Sequence, residues 1–352
     1  MFTKRLTAVI AACAMALTAC AGGSASQKTK GASSATPVKM ERIRAIVPTT
    51  MAFGAPMTGF GTEGNLKSFS SKVSVKNWDS LEQLKSSLMK NEAEVAATPA
   101  YVAANLYNKG VDVRLVGPVV WGMLYVLGPS GAPTGDWKSL KGKKVAVTMP
   151  GNMPDLVFSY LLKKNGLSKS DIEVVQAQDG QQAIQLLATG RAEYAILPEH
   201  AATLAETKLA QQGKTVTRAL NLQEEWAKAT GKKARFPMAG LVVPGKVADA
   251  NPALIPAVRK EVAATIAKAN AGDEQTLQKI ADHYKLPVGV VKQVIPRLQL
   301  DMAPAAQTRS EYEDFLKRIG EGNPAIYGGK LPNAKFYACL LYTSPSPRDG
   351  LL

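Results

Sequence analysis

Apolar positions along this chain recur with two periods in alternation, most clearly between Trp137 and His200. A short apolar run over residues 143–148 follows the lead-in Leu140-Lys141-Gly142. It breaks at Met149-Pro150-Gly151-Asn152-Met153-Pro154, and a helical period then passes through Leu156, Val157, Tyr160, Leu161 and Leu162 to Asn165-Gly166. A second strand is predicted at 172–175. A helix with Ala183, Ile184, Leu186 and Leu187 on its apolar face stops at Thr189-Gly190-Arg191, and a third strand at 194–197 runs into Pro198-Glu199-His200. Strands alternating with helices of about a dozen residues predict crossover units and a parallel sheet. In such sheets small molecules sit beyond the carboxyl ends of the strands, here residues 148–155 and 198–200.

The N-terminal half repeats this logic. Strands are predicted at 41–48, 72–78 and 94–99; the first opens into a loop rich in hydroxyls and small residues at 49–56. Asp79 or Ser80 caps a helix whose apolar face is Leu81, Leu84 and Leu88, and a helix over 100–107 follows the third strand. A long apolar run begins at 113–118 and continues through 121–127 to Gly128-Pro129-Ser130-Gly131, which suits a strand crossing between two lobes. The return crossing is expected near residues 236–243. Beyond Asn251-Pro252 the pattern is helical to Glu321 and predicts packing back onto the first lobe.

The start of the chain adds location. Lys4 and Arg5 precede a short apolar segment over 6–17, too short for a permanent spanning helix and flanked as an export signal is. Leu17-Thr18-Ala19-Cys20 resembles a bacterial lipobox, so the expected leader is 1–19 with Cys20 lipidated; the alternative is an ordinary signal cut at a nearby small residue. Residues 20–40 then form a flexible tether rich in Gly, Ser, Lys and Thr. The last stretch, 338–352, shares neither period nor composition with what precedes it. It resembles translated adapter read-through, which sets the expected natural end near Phe336-Tyr337 and gives Cys339 no functional weight.

About 300 residues lie between tether and tail, enough for two α/β lobes with their own cores. Hydrophobic content is 46%, and the three cysteines (Cys13, Cys20, Cys339) cannot assemble an intrachain disulfide or a thiolate metal site in the mature body. Formal charge is +15, and loss of Lys4 and Arg5 with the leader takes it to +13. The cations are scattered along helices with few aromatics between them, which predicts solvated helix faces rather than a nucleic-acid site.

The order of elements, the run Leu140-Lys141-Gly142-Lys143-Lys144-Val145-Ala146-Val147, the run Gly190-Arg191-Ala192-Glu193-Tyr194-Ala195, Pro198-Glu199 and the late Gly328-Gly329-Lys330-Leu331-Pro332 together resemble the solute-binding proteins of bacterial ABC importers. The nitrate/sulfonate/taurine/thiamine-precursor group is the most similar, over residues 42–337. The resemblance implies an α/β fold of periplasmic-binding-protein type II, with two parallel-sheet lobes joined by hinge crossings near 127–131 and 236–240. The implied lobes are 41–128 with 241–337, and 129–240. It implies a monomer that closes on a small-molecule ligand and delivers it to a membrane permease, with no cofactor, metal or nucleic acid. A sensor module of the same fold is the alternative function.

On the same resemblance the pocket comprises Thr49, Thr50 and Met51, Thr98 and Tyr101, Trp121, Gly151, Asn152, Met153 and Asp155, and Glu199 with His200. Helix amides after Gly151-Asn152 would attract an anionic oxygen, and the threonines offer neutral hydroxyls. Asn152, Asp155 and Thr98 serve equally well as helix caps, and Tyr101 and Trp121 as core residues. Where sulfonate and nitrate binders place small hydroxyl residues, this chain has Gly151-Asn152-Met153. Met51, Met123, Met149, Met153 and Met238 all fall near the expected pocket or hinge, so a partly apolar ligand with one polar or anionic end is expected. Their dispersal argues against a copper site. Glu199 beside His200 is the only acid/base pair suggested near the strand ends, and no nucleophile or nucleotide motif accompanies it; a pyrimidine-precursor synthase of this architecture would use clustered His and Cys that the chain lacks.

Overall fold

The computed structural model describes residues 36–338 as one compact unit. The expected leader over 1–19, Cys20, the tether as far as residue 35 and the tail from 339 lie outside the described residues. The described end of the tether is docked: Asn251 donates to the Val38 carbonyl at 2.7 Å and accepts from its amide at 3.3 Å.

Strands and helices follow in the order β1 (Ile43–Pro48), α1 (Met51–Gly54), β2 (Val73–Trp78), α2 (Leu81–Met89), β3 (Val95–Pro99), α3 (Ala100–Asn108) and β4 (Val113–Val120). The chain then enters β5 (Leu124–Pro129), β6 (Lys144–Thr148), α4 (Met153–Lys164), β7 (Glu173–Ala177), α5 (Gly180–Ala188), β8 (Tyr194–Pro198), α6 (Glu199–Gln211), β9 (Val216–Asn221) and α7 (Leu222–Thr230). It ends in β10 (Ala239–Pro244), α8 (Gly245–Ala250), α9 (Leu254–Asn270), α10 (Glu274–Tyr284), α11 (Val288–Val294) and α12 (Ala305–Ile319).

Two five-stranded sheets result, ordered β2-β1-β3-β10-β4 and β7-β6-β8-β5-β9. They are mixed rather than all-parallel. β1, β2 and β3 run parallel, as do β6, β7 and β8, but β10 is antiparallel to β3 and β4, and β5 is antiparallel to β8 and β9. A strand arriving from the other lobe enters at the carboxyl end of its new sheet, so it must run against its neighbours. The run expected as one crossing strand is broken at Trp121-Gly122-Met123. β5 therefore belongs to the second sheet, and the first crossing lies ahead of residue 124 rather than at 127–131. The second crossing runs beside it, with the Phe236 amide donating to the Trp121 carbonyl at 2.8 Å and the Met238 amide to the Val120 carbonyl at 2.9 Å.

Local chemistry explains the elements. Ser80 and Asp179 cap α2 and α5, each accepting from the amide of a glutamine three residues on, and each glutamine reaches back to the residue before the cap. β4 and β10 are buried at every position, the mark of strands covered on both faces. The C-terminal helices do not pack on the first lobe alone: α11 rests on α6, and α12 on both β4 and α4. Between them residues 299–303 lie along the hinge, where Gln299 accepts from the Trp121 amide at 3.2 Å and Asp301 donates to Val119 at 3.2 Å. Aromatic rings of Tyr160, Trp226, Phe236 and Phe315, with centroids 5.1–5.7 Å apart along the chain of contacts, tie α4, α7, the second crossing and α12 together. Such pairs add about 0.5–1.5 kcal/mol each beyond area burial.

Candidate functional site

Four helices start at the carboxyl ends of β1, β3, β6 and β8: α1 and α3 from one sheet, α4 and α6 from the other. Two contacts join them between the sheets, α3 with α4 and α1 with α6. The Tyr101 hydroxyl, on α3, donates to Asn152 Oδ1, at the start of α4, over 2.7 Å. Burial pushes the Tyr101 hydroxyl up to about 12, so it stays a donor at any physiological pH. On the other side of the cleft α1 packs against α6.

Asn152 opens α4 yet makes no capping bond with its own helix; its side chain is committed to the opposite lobe instead. The turn before it is held by Asp155, whose Oδ2 accepts from the Gly151 amide at 2.9 Å. Asp155 also accepts from Ser159 at 3.0 Å and pairs with Lys169 at 2.5 Å, so this carboxylate shapes the loop. Gly151 has φ of 75°, a left-handed turn that glycine adopts freely. Met149, two residues earlier, has φ of 52° and is exposed; a left-handed methionine stores on the order of 1 kcal/mol of strain beside the cleft.

Two of the expected site residues carry a buried polar atom without a hydrogen-bond partner. Thr98 is fully buried at the end of β3 with its hydroxyl unpaired, and His200, second residue of α6, has a buried Nδ1 without a hydrogen bond. An unsatisfied buried polar group costs about 1–3 kcal/mol, which a fold retains only where the group has other work. Burial lowers the His200 pKa from the ordinary 6.5 to about 4, so the ring is neutral near pH 7. The depressed value means that below pH 6.5 the unfolded chain takes up a proton that the folded chain refuses until about pH 4. Stability linked to this group is thus complete above pH 6.5 and lost on descent towards 4, by at most about 3 kcal/mol. A His200→Asn variant should show a shallower loss of melting temperature between pH 6.5 and 4; identical slopes would mean the ring titrates normally.

The other expected site residues have different roles. Met51 and Met153 are buried at the starts of α1 and α4; Thr50 is half-buried ahead of α1 without capping it, and Thr49 is exposed. Trp121 belongs to the hinge: its Nε1 donates to the Asp301 carbonyl at 2.9 Å and Arg235 stacks on its ring at 4.0 Å. Glu199 is fully buried and wholly engaged. It accepts from Thr203 at 2.7 Å, pairs with Arg218, and receives Arg297 at 3.3 Å. Gln223 escapes sequence reasoning, yet its Oε1 accepts from the Met123 and Leu124 amides at 3.1 and 2.9 Å and fixes the first crossing. Arg218 and Arg297 are likewise invisible to motif reading, since each becomes meaningful only when the fold brings it to Glu199. Among the described residues no helix is long and apolar enough to cross a membrane, and no cluster of three or more His, Cys, Asp or Glu could hold a metal ion.

Residues 81–269 match a family model described as NMT1/THI5 like. No curated protein sequence matches the chain. Solved structures share its fold. An ABC transporter protein from Parabacteroides distasonis superposes with a TM-score of 0.66 at 24% identity, covering 85% of this chain and 99% of that one. The periplasmic aliphatic sulphonate binding protein SsuA from Escherichia coli gives 0.63 at 17% identity, covering 85% and 100%. The periplasmic nitrate-binding protein NrtA from Synechocystis PCC 6803 gives 0.59 at 14% identity, covering 82% and 85%.

Proposed function

Because this chain belongs to the NMT1/THI5-like family, we propose that it is the extracytoplasmic solute-binding component of an ABC importer, capturing a small organic molecule between its lobes and presenting it to a membrane permease. The observation that carries this reading is the Tyr101–Asn152 hydrogen bond, which joins the lobes at the strand ends where binding sites form. The sulphonate and nitrate binders that share the fold support the same role. The leader pattern and Cys20 support a lipid-anchored location outside the cytoplasm. Binding without chemistry is favoured because Glu199, the carboxylate next to His200, is occupied by Arg218, Arg297 and Thr203. Buried Met51 and Met153 favour a ligand with an apolar body and a polar end.

Closure is the mechanism. A solute that touches both lobes stabilises the closed form by its extra contacts there, and its apparent affinity falls with the fraction of closed protein. Thermal shift against alkyl- and aryl-sulfonates, carboxylates and pyrimidines should reveal at least one organic compound that raises the melting temperature; a response to inorganic oxyanions alone would sink the reading. For a compound that binds, Tyr101→Phe should weaken affinity about fivefold and lower the melting temperature by about 2 °C, since one net hydrogen bond is worth about 1 kcal/mol.

A further inference from the structure

The two lobes are built on one plan, and the plan matches residue by residue. β1 and β3 pair Ala45 with Val95 as β6 and β8 pair Val145 with Tyr194. β10 enters beside β3 with Ala239 opposite Pro99, as β5 enters beside β8 with Leu124 opposite Pro198. The first amide of α3, from Ala100, donates to the Met238 carbonyl at 3.0 Å; the first amide of α6, from Glu199, donates to the Met123 carbonyl at 2.7 Å. Tyr101 and His200 therefore occupy the same position in their lobes, one residue into the helix. Thr50 and Asn152 also correspond: each precedes the helix that follows the strand paired in parallel with β3 or β8, and neither caps it.

This correspondence predicts two cross-cleft pairs, Tyr101 with Asn152 and His200 with Thr50. Only the first is made. On the other side α1 packs against α6, but His200 Nδ1 stays buried and unpartnered. Threonine at position 50 is shorter than the asparagine at the matching place, and its hydroxyl makes no hydrogen bond to His200.

We infer that the solute fills the second pair, bridging the His200 imidazole and the Thr50 hydroxyl with an uncharged polar head that offers an N–H or O–H. This rests on the binding-protein reading and sharpens it. Neither group carries charge to greet an anion. The arginines around the cleft have carboxylate partners: Arg218 has Glu199 and Glu206, Arg297 has Glu199, and Arg235 has Glu311.

The decisive experiment makes the missing pair within the protein. Thr50→Asn gives the first lobe the amide that Asn152 supplies in the second, and it should close the cleft without solute, raising the melting temperature by about 2 °C. Adding His200→Phe should abolish that gain. If the gain is absent, or is the same with His200→Phe, positions 50 and 200 do not face each other and the assignment falls. The chain has only two histidines, His200 and His283, so 15N imidazole spectra give a second, direct readout. In the wild type, benzyl alcohol should move the His200 Nδ1 signal and benzenesulfonate should not; the reverse order overturns the uncharged-head assignment. A Thr50→Asn gain that depends on His200, in a protein that binds nothing from the solute panel, would keep the geometry and remove the importer reading.

Discussion

Replacing Glu199 with alanine is expected to cost about 3 kcal/mol and roughly 5 °C of melting temperature. The side chain has no solvent exposure, and it is the shared anion for Arg218 and Arg297, with Thr203 as a third donor. Removing it leaves Arg218, stacked 4.4 Å from the Tyr125 ring centroid, with Glu206 as its remaining carboxylate. The penalty arises mainly from that partly buried, under-compensated guanidinium and not from the worth of the intact pair. Glu199→Gln should cost less, because the amide oxygen still accepts from Thr203 and the arginines. Arg297 comes from the C-terminal segment, whereas Glu199 starts a helix of the second lobe, so the same change should loosen the lobes. Thermal melts of both variants beside solute titrations test this. Weaker binding at unchanged melting temperature would return Glu199 to the ligand set.

Gly117→Ala is expected to be as damaging, at about 3 kcal/mol or more, for a steric reason. A Cβ on Gly117 would lie 1.9 Å from the Ala303 carbonyl oxygen and 2.7 Å from Met302 Cε. The nearer obstacle is backbone and cannot rotate away, so β4 or the segment at 299–303 must move. That segment also holds Trp121, and the variant should therefore perturb the hinge, visible as altered Trp fluorescence as well as a lower melting temperature. Gly289→Ala is the control: nothing lies within 4 Å of its added Cβ, and within α11 alanine should be neutral or stabilising by up to about 1 kcal/mol. Equal losses for the two variants would refute the clash argument.

The fold was legible where burial imposes a strong period. Residues 143–148 and 194–197 read as strands because both faces of the sheet are covered, and Ser80 announced α2 by its capping chemistry. β9 was not legible: Val-Thr-Arg-Ala-Leu-Asn is a half-buried strand at the sheet edge with little alternation. The break between β4 and β5 also left no trace, since the hinge residues Trp121 and Met123 are as apolar as the strands they join and are themselves buried. The candidate cleft residues rest on topology alone. Strand ends pointed to Thr98, Tyr101, Asn152 and His200, but the same rule collected Asp155, Glu199 and Trp121, whose polar atoms are spent on the loop, the ion cluster and the hinge. Strand-end position identifies a neighbourhood; only partners divide a ligand-facing group from a scaffold group.

The strand orders carry a consequence for how the chain acquires its shape. The second sheet is assembled from one continuous stretch, β5 to β9, and all its partners exist once Asn221 has been synthesised. The first sheet is different, because β10 lies between β3 and β4 and no pairing joins those two strands without it. Until residues 239–244 emerge, β4 waits as an apolar strand with no neighbour, the kind of edge that invites aggregation. The N-terminal lobe therefore matures after the lobe that follows it in sequence, and a chain truncated between Asn221 and Ala239 should fold its middle while its beginning stays open.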